Sequence, residues 1–105
     1  MGIENKYFEY WNEHNVVKLK DLFKDDIQLI DWDNKFIGID EVINENVNIF
    51  TNFPNIKAEI IDIGNCDNKV FVEIKVLLNN EESIDVIDVI EIEDGLIKKI
   101  KAYKC

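Results

Sequence analysis

The stretch Ser83-Ile84-Asp85-Val86-Ile87-Asp88-Val89-Ile90-Glu91-Ile92-Glu93 has the two-residue period of a β-strand. Ile84, Val86, Ile90 and Ile92 share its apolar face, and Asp88 falls in the middle of them. The opposite face carries Asp85, Ile87, Val89 and Glu91, a mixture too apolar to stand bare and too charged to be core. A homodimer packed through this second face is expected; a half-exposed sheet surface is the alternative.

Three further strands flank this run. Lys57 to Ile63, Lys69 to Leu78 and Leu96 to Tyr103 are rich in β-branched residues, and the connections Gly64 to Asn68, Asn79 to Glu82 and Asp94-Gly95 are short and made of turn residues. Such spacing predicts consecutive antiparallel hairpins. The first half of the chain is helical. Residues 3–13 put Ile3, Tyr7, Tyr10, Trp11 and His14 on one side of a helix, and Asn12 to Asn15 breaks it. His14 is expected to be a cap or surface residue. A second helical segment runs from Val16 to Phe23 through Leu19 and Leu22, and a short strand follows over Ile27 to Trp32. Asp33 to Gly38 has the composition of a turn. A helix from Ile39 to Thr51 then turns Ile39, Val42, Ile43, Val47 and Phe50 inward, and Pro54 closes it. Helices followed by a strand meander define an α+β fold, with the N-terminal helices packed on a curved antiparallel sheet.

At 105 residues and 47% hydrophobic, the chain is expected to be a single domain spanning residues 1–105, with room for one core and one pocket. It contains no linker, repeat or low-complexity tract. All 12 basic residues are Lys against 22 acids, a net charge of −10, which argues against nucleic acid or an anionic membrane as partner. No apolar run approaches the roughly 18 residues of a membrane span, and charges interrupt Met1 to Val16, so a cytoplasmic protein is expected. Cys66 and Cys105 are expected to be free thiols, and with one His they fit no zinc motif.

Two acids conflict with their apolar surroundings. Asp88 is one; Asp31, in register with Ile27 and Leu29, is the other. An ionised carboxylate in such a place must find a partner or keep its proton, and carboxyl groups in that state are candidates for acid–base chemistry.

The run Asp85-Val86-Ile87-Asp88-Val89, with Asp94-Gly95, Ile97 and Ala102-Tyr103, resembles the C-terminal hairpin of bacterial ketosteroid isomerases in the SnoaL-like, nuclear-transport-factor-2-like superfamily. Phe23-Lys24-Asp25-Asp26-Ile27 leading to Asp31, then Gly38, is similar to the same family's first half, and ungapped counting back from Asp31 places the family's helix tyrosine on Tyr7. The resemblance implies a cone-shaped fold. It also implies Asp31 as general base, with Tyr7 and Asp88 donating hydrogen bonds to a developing enolate oxygen, as the neutral aspartic acid and tyrosine of ketosteroid isomerase are known to do. The apolar cup around them is expected from Trp11, Phe23, Phe50, Val86, Ile100 and Ala102.

Departures from the family pattern are Trp32 where a proline usually follows the base, Phe23 and Asn46 where tyrosines support the helix tyrosine, and Lys104 where a tryptophan often lines the pocket. These changes put a steroid-sized substrate in question more than the chemistry. The implied reaction is proton transfer within a β,γ-unsaturated ketone through a dienolate, needing no metal or organic cofactor, on a small apolar ketone or steroid-like ligand. Each residue also has a structural reading: Tyr7 as an aromatic core residue, Asp31 as a turn former in the Asp31 to Asn34 cluster, and Asp88 rotated outward by a bulge. The alternatives for the whole protein are a non-catalytic binding or dimerisation module, or a polyketide cyclase or dehydratase on the same scaffold.

Overall fold

The computed structural model describes residues 2–105, which form α1 (Ile3–Asn12), α2 (Val16–Asp21), β1 (Phe23–Ile30), β2 (Lys35–Ile37), α3 (Ile39–Asn52), β3 (Lys57–Cys66), β4 (Lys69–Leu77), β5 (Ser83–Glu93) and β6 (Leu96–Lys104). The three helices pack against a six-stranded, curved and unclosed sheet of order β2-β1-β6-β5-β4-β3. The α+β architecture expected from the sequence is therefore present. From β3 to β6 every neighbouring pair is antiparallel, as short turn-rich connections require. The β1–β6 pair is parallel, so the sheet is mixed and not wholly antiparallel. No tight turn joins those two strands, and their direction is set by the long path through α3 and the meander.

The alternation in β5 holds. Val86, Asp88 and Ile90 are buried, Ile84 and Ile92 pack against the core, and Ile87 lies on the outer face. A register shift between Glu91 and Ile92 comes after Asp88 and does not turn it outward. Ile27, Ile90, Ile97, Ile100 and Leu19 are fully buried between this face and the helices.

Three local expectations are corrected. The strand after α2 begins at Phe23 and ends at Ile30, earlier at both ends than the apolar run suggests. Pairing draws it out of the helix, since the Leu22 carbonyl accepts from the Ile97 N–H at 2.8 Å. The turn region 33–38 contains a short strand, β2, paired with β1 through Gln28↔Ile37 and Ile30↔Lys35. In α3, Val47 points outward at 41% exposure and Asn46 takes the inner position with Val42 and Phe50. A helix advances 100° per residue, so 42, 46 and 50 form one stripe and 47 falls beside it.

An amide can occupy that stripe because it is fully paired. Asn46 Oδ1 accepts from the Trp11 indole N–H at 3.1 Å, and its NH₂ donates to the Val42 carbonyl at 2.9 Å. Replacing Asn46 by Ala is expected to cost about 1–3 kcal/mol, because the buried indole N–H loses its acceptor. Urea denaturation checks this; an unchanged midpoint would mean that the pair is idle.

His14 is neither an inward stripe residue nor a free surface group. It sits in the left-handed region at φ 56°, where its N–H donates to the Trp11 carbonyl, and the Asn15 N–H reaches the Tyr10 carbonyl at 2.9 Å. Its ring stacks on Phe50, with centroids 4.2 Å apart and planes at 7°, and its Nε2 donates to the Ile56 carbonyl at 2.8 Å. The Asn12 side chain bonds both backbone groups of Ala58, at 2.9 and 2.7 Å. The residues that break the helix thus also fasten α1 to β3. Gly38, at φ 93°, supplies the turn into α3 that a side chain would strain. Cys66 and Cys105 are both exposed and unpaired.

Candidate active site

A cavity of about 520 Å³ lies between α1, α3 and the inner face of the sheet. Its floor carries two polar groups. Asp88 lies on β5 opposite Val72 of β4 and Ala102 of β6, and is 7% exposed; Tyr7 comes from α1 and is 5% exposed. Both line the cavity, and among the described residues no fully occluded side-chain oxygen or nitrogen lacks a partner. Since neither group bonds a side chain or backbone group of the described residues, both polar ends open onto the cavity.

The apolar walls alter the ionisation of both. Burial pushes the Asp88 carboxyl from its ordinary 3.8 up to about 7. Burial, with the Asp88 charge adding to it, drives the Tyr7 hydroxyl well above the usual phenol range. Tyr7 is thereby held in its neutral, hydrogen-bond-donating form at neutral pH, and Asp88 keeps its proton until pH approaches about 7.

Asp31 reaches the same cavity by a different route from the one its register suggested. It lies just beyond the end of β1, partly exposed, and its Oδ1 accepts the backbone N–H groups of Asp33 at 2.8 Å and Asn34 at 2.6 Å. The Asp31 N–H also bonds the Asn34 carbonyl at 3.0 Å. The carboxylate has therefore found partners, and the turn-forming reading of Asp31 is realised. It nevertheless lines the cavity, and Oδ2 makes no hydrogen bond among the described residues.

Of the residues expected to form the cup, Trp11, Val86, Ile100 and Ala102 line it, while Phe23 and Phe50 do not. These two stand one layer behind. Phe23 packs against the Tyr7 ring at 6.1 Å, and Phe50 meets Trp11 edge-on at 5.2 Å while covering His14. Aromatic side chains at core-facing positions fill the space between the elements, so they hold the lining residues in place without reaching the cavity.

The fold and the sequence pattern point to the same relatives. The SnoaL-like domain model matches residues 5–100. The chain belongs to the SnoaL-like domain family. Among solved structures, a candidate polyketide cyclase from Sinorhizobium meliloti is 20% identical with a TM-score of 0.89, the alignment covering 96% of this chain and 93% of that one. A candidate ketosteroid isomerase from Kribbella flavida is 15% identical at a TM-score of 0.85, covering 97% of this chain and 74% of that one. An NTF2-like protein of unknown function from Cytophaga hutchinsonii is 14% identical at 0.84, covering 96% and 85%. No curated protein matches the chain. At such identities the likeness concerns the fold.

Several lining residues of this SnoaL-like domain escaped the sequence reading. Ile74 and Val76 could have been found, because they alternate on β4 directly across from Val86 and Ile84. Glu45 could not. On α3 it sits beside the inward Asn46, and partial burial, with the charge of Asp31 adding to it, raises its carboxyl. Trp32 and Lys104 meet at the rim, the Lys104 Nζ lying 5.7 Å from the Trp32 ring centre. This contact joins the β1–β2 turn to the end of β6, far apart in sequence. Among the described residues no three His, Cys, Asp or Glu side chains converge to hold a metal ion.

Proposed function

We propose that the cavity binds a small apolar β,γ-unsaturated ketone and isomerises it through a dienolate. The observation that carries this reading is the pair of buried donors, Tyr7 and Asp88, which have no partner among the described residues and sit among apolar walls on the floor of the cavity. Negative charge developing on a carbonyl oxygen between them would be met by two donors in a site with little competing water, where such bonds stabilise most. Asp31, with Oδ2 free at the cavity wall, takes the proton from the carbon beside the carbonyl and returns it two carbons away. The neutral Asp88 carboxyl suits the first role, because an ionised one would repel the enolate.

A phenol or naphthol mimics the dienolate and tests the floor directly. 2-Naphthol is expected to bind with its oxygen between Tyr7 and Asp88. Its affinity should fall as pH rises through about 7, where Asp88 loses its proton. Binding that ignores Tyr7→Phe and Asp88→Leu alike would remove the oxyanion-hole reading.

A second reading, binding without turnover, is favoured by one observation: Asp31 is already engaged as a turn former by two backbone N–H groups. On that reading the naphthol binds and no ketone of a broad panel is converted.

We also propose a homodimer through the outer sheet face. Phe71 and Val89 lie side by side there, next to Ile87 and Tyr103, with Lys69, Glu91 and Lys99 in one cross-strand row at the border. Light scattering should then give twice 12.3 kDa, and Ile87→Lys should return the mass to that of one chain. A mass near 12.3 kDa for the unaltered protein at micromolar concentration would count against the dimer.

A further inference from the structure

We infer that the cavity selects ligands carrying an organic ammonium group at the end away from their carbonyl or hydroxyl oxygen. This rests on the proposed role of Tyr7 and Asp88 as the oxygen-binding end. The cavity is graded in depth. Asn46, Tyr7 and Asp88 are its most buried polar residues, with Asn46 paired to Trp11 and Val42; Asp31 and Glu45 are partly buried, and Asp33, Asn34 and Trp32 are exposed. Three carboxylates, Asp31, Asp33 and Glu45, therefore line its outer part.

Among the described residues no lysine forms an ion pair with these carboxylates. The ion pairs among the described residues join Lys24, Lys98 and Lys99 to Glu91, Glu93 and Asp94, and none involves the cavity. Lys104, the basic residue among the lining side chains, is placed over the Trp32 ring. A cluster of acids on a protein surface is ordinarily a solvated face. This one lines the same cavity as two buried polar side chains that have no partner among the described residues, and those groups ask for a ligand independently of the acids. The ligand fills an apolar cup, presents an oxygen to the floor and brings its other end among the carboxylates.

The chemistry at that end excludes an anion and favours a cation. A carboxylate or phosphate there would face like charges at short range in a partly desolvated site. A metal ion is disfavoured because, among the described residues, no three His, Cys, Asp or Glu side chains come together to hold one. An alkylammonium group has no such requirement, since it is satisfied by diffuse negative charge and aromatic faces. Trp32, 46% exposed, and Phe53, 41% exposed, supply those faces at the rim. Lys104 already occupies the face of Trp32 and would be the group an incoming ammonium displaces.

The test is calorimetric titration of three probes with the same hydroxyl: 2-naphthol, its 6-aminomethyl derivative and its 6-carboxy derivative, at low salt and near pH 6. The aminomethyl probe is expected to bind about tenfold tighter than 2-naphthol, and the carboxy probe about tenfold weaker. The preference should shrink as salt is added, narrow in Glu45→Gln and widen in Lys104→Met. A merely structural Glu45 would shift all three affinities together. If 2-naphthol binds and the aminomethyl probe binds no tighter, the ammonium inference fails and the reading of Tyr7 and Asp88 stands. If 2-aminomethylnaphthalene, which lacks the hydroxyl, binds as tightly as the aminomethyl naphthol, the ammonium site stands and the oxygen site falls. Failure of all the probes to bind overturns both.

Discussion

Asp31→Asn is expected to lower the rate of β,γ-unsaturated ketone isomerisation by about 10²–10⁴-fold, the contribution of a positioned general base, while 2-naphthol still binds. The substitution is nearly isosteric. It keeps an oxygen that can accept the Asp33 and Asn34 N–H groups, so the turn after β1 should remain formed. What it removes is the basic oxygen, and with it the capacity to take a proton from carbon. Steady-state kinetics on a panel of such ketones, alongside naphthol titration, separates this from misfolding. Full activity in Asp31→Asn would sink the isomerase reading, as would a parent protein with no turnover above buffer. Asp31→Ala is the informative contrast: it loses the acceptor as well, at a cost of about 1 kcal/mol in stability from two unmet backbone donors in a partly solvated turn.

The second large effect concerns Asp88 and acts on both stability and rate. Its carboxyl titrates near 7 in the folded chain against an ordinary 3.8. Between those values the folded state holds a proton that the unfolded state has released. Stability from this group is therefore fully present below about pH 4 and is lost as pH rises through about 7. Roughly three pH units of separation correspond to about 4 kcal/mol. Asp88→Asn cannot ionise, so urea denaturation should find it gaining on the parent by that order between pH 4 and pH 8. Parallel stability profiles for the two proteins would mean that Asp88 is not buried as described. On the rate side, Asp88→Leu removes a donor made for the transition state and should cost about 10²–10³-fold in kcat. The two effects have one origin, a carboxyl held in an apolar wall at a cost in stability near neutral pH. They oppose each other, since a more stable protein is expected to be the slower one.

Much of this site was readable from the chain. Asp88 was visible because a strand's period is local: its neighbours two residues away on either side fix which face it takes, and the turn-rich connections fix how the strands pair. Tyr7 and Trp11 were visible for the same reason on a helix. Asp31 was placed in the right cavity by the wrong geometry. Its register with Ile27 and Leu29 pointed it inward, but the strand stops at Ile30 and the carboxylate turns to the Asp33 and Asn34 backbone. The sequence contained both possibilities, and competition between sheet pairing and a side-chain turn decided between them.

Periodicity along the chain set the kinds of elements, the face of β5 and the presence of two acids in apolar company, because each depends on residues within a few positions of one another. Tertiary packing decided the rest. Whether 46 or 47 faces inward depends on the rotation of α3 against α1, settled by an indole finding an amide. Phe23 and Phe50 look the same in sequence as true lining residues, and only the positions of their neighbours put them one layer back. Glu45, Trp32 and Lys104 come to the cavity from three different elements. A cavity is the space that packed elements leave between them, so its lining depends on distances across the fold that no pattern along the chain contains.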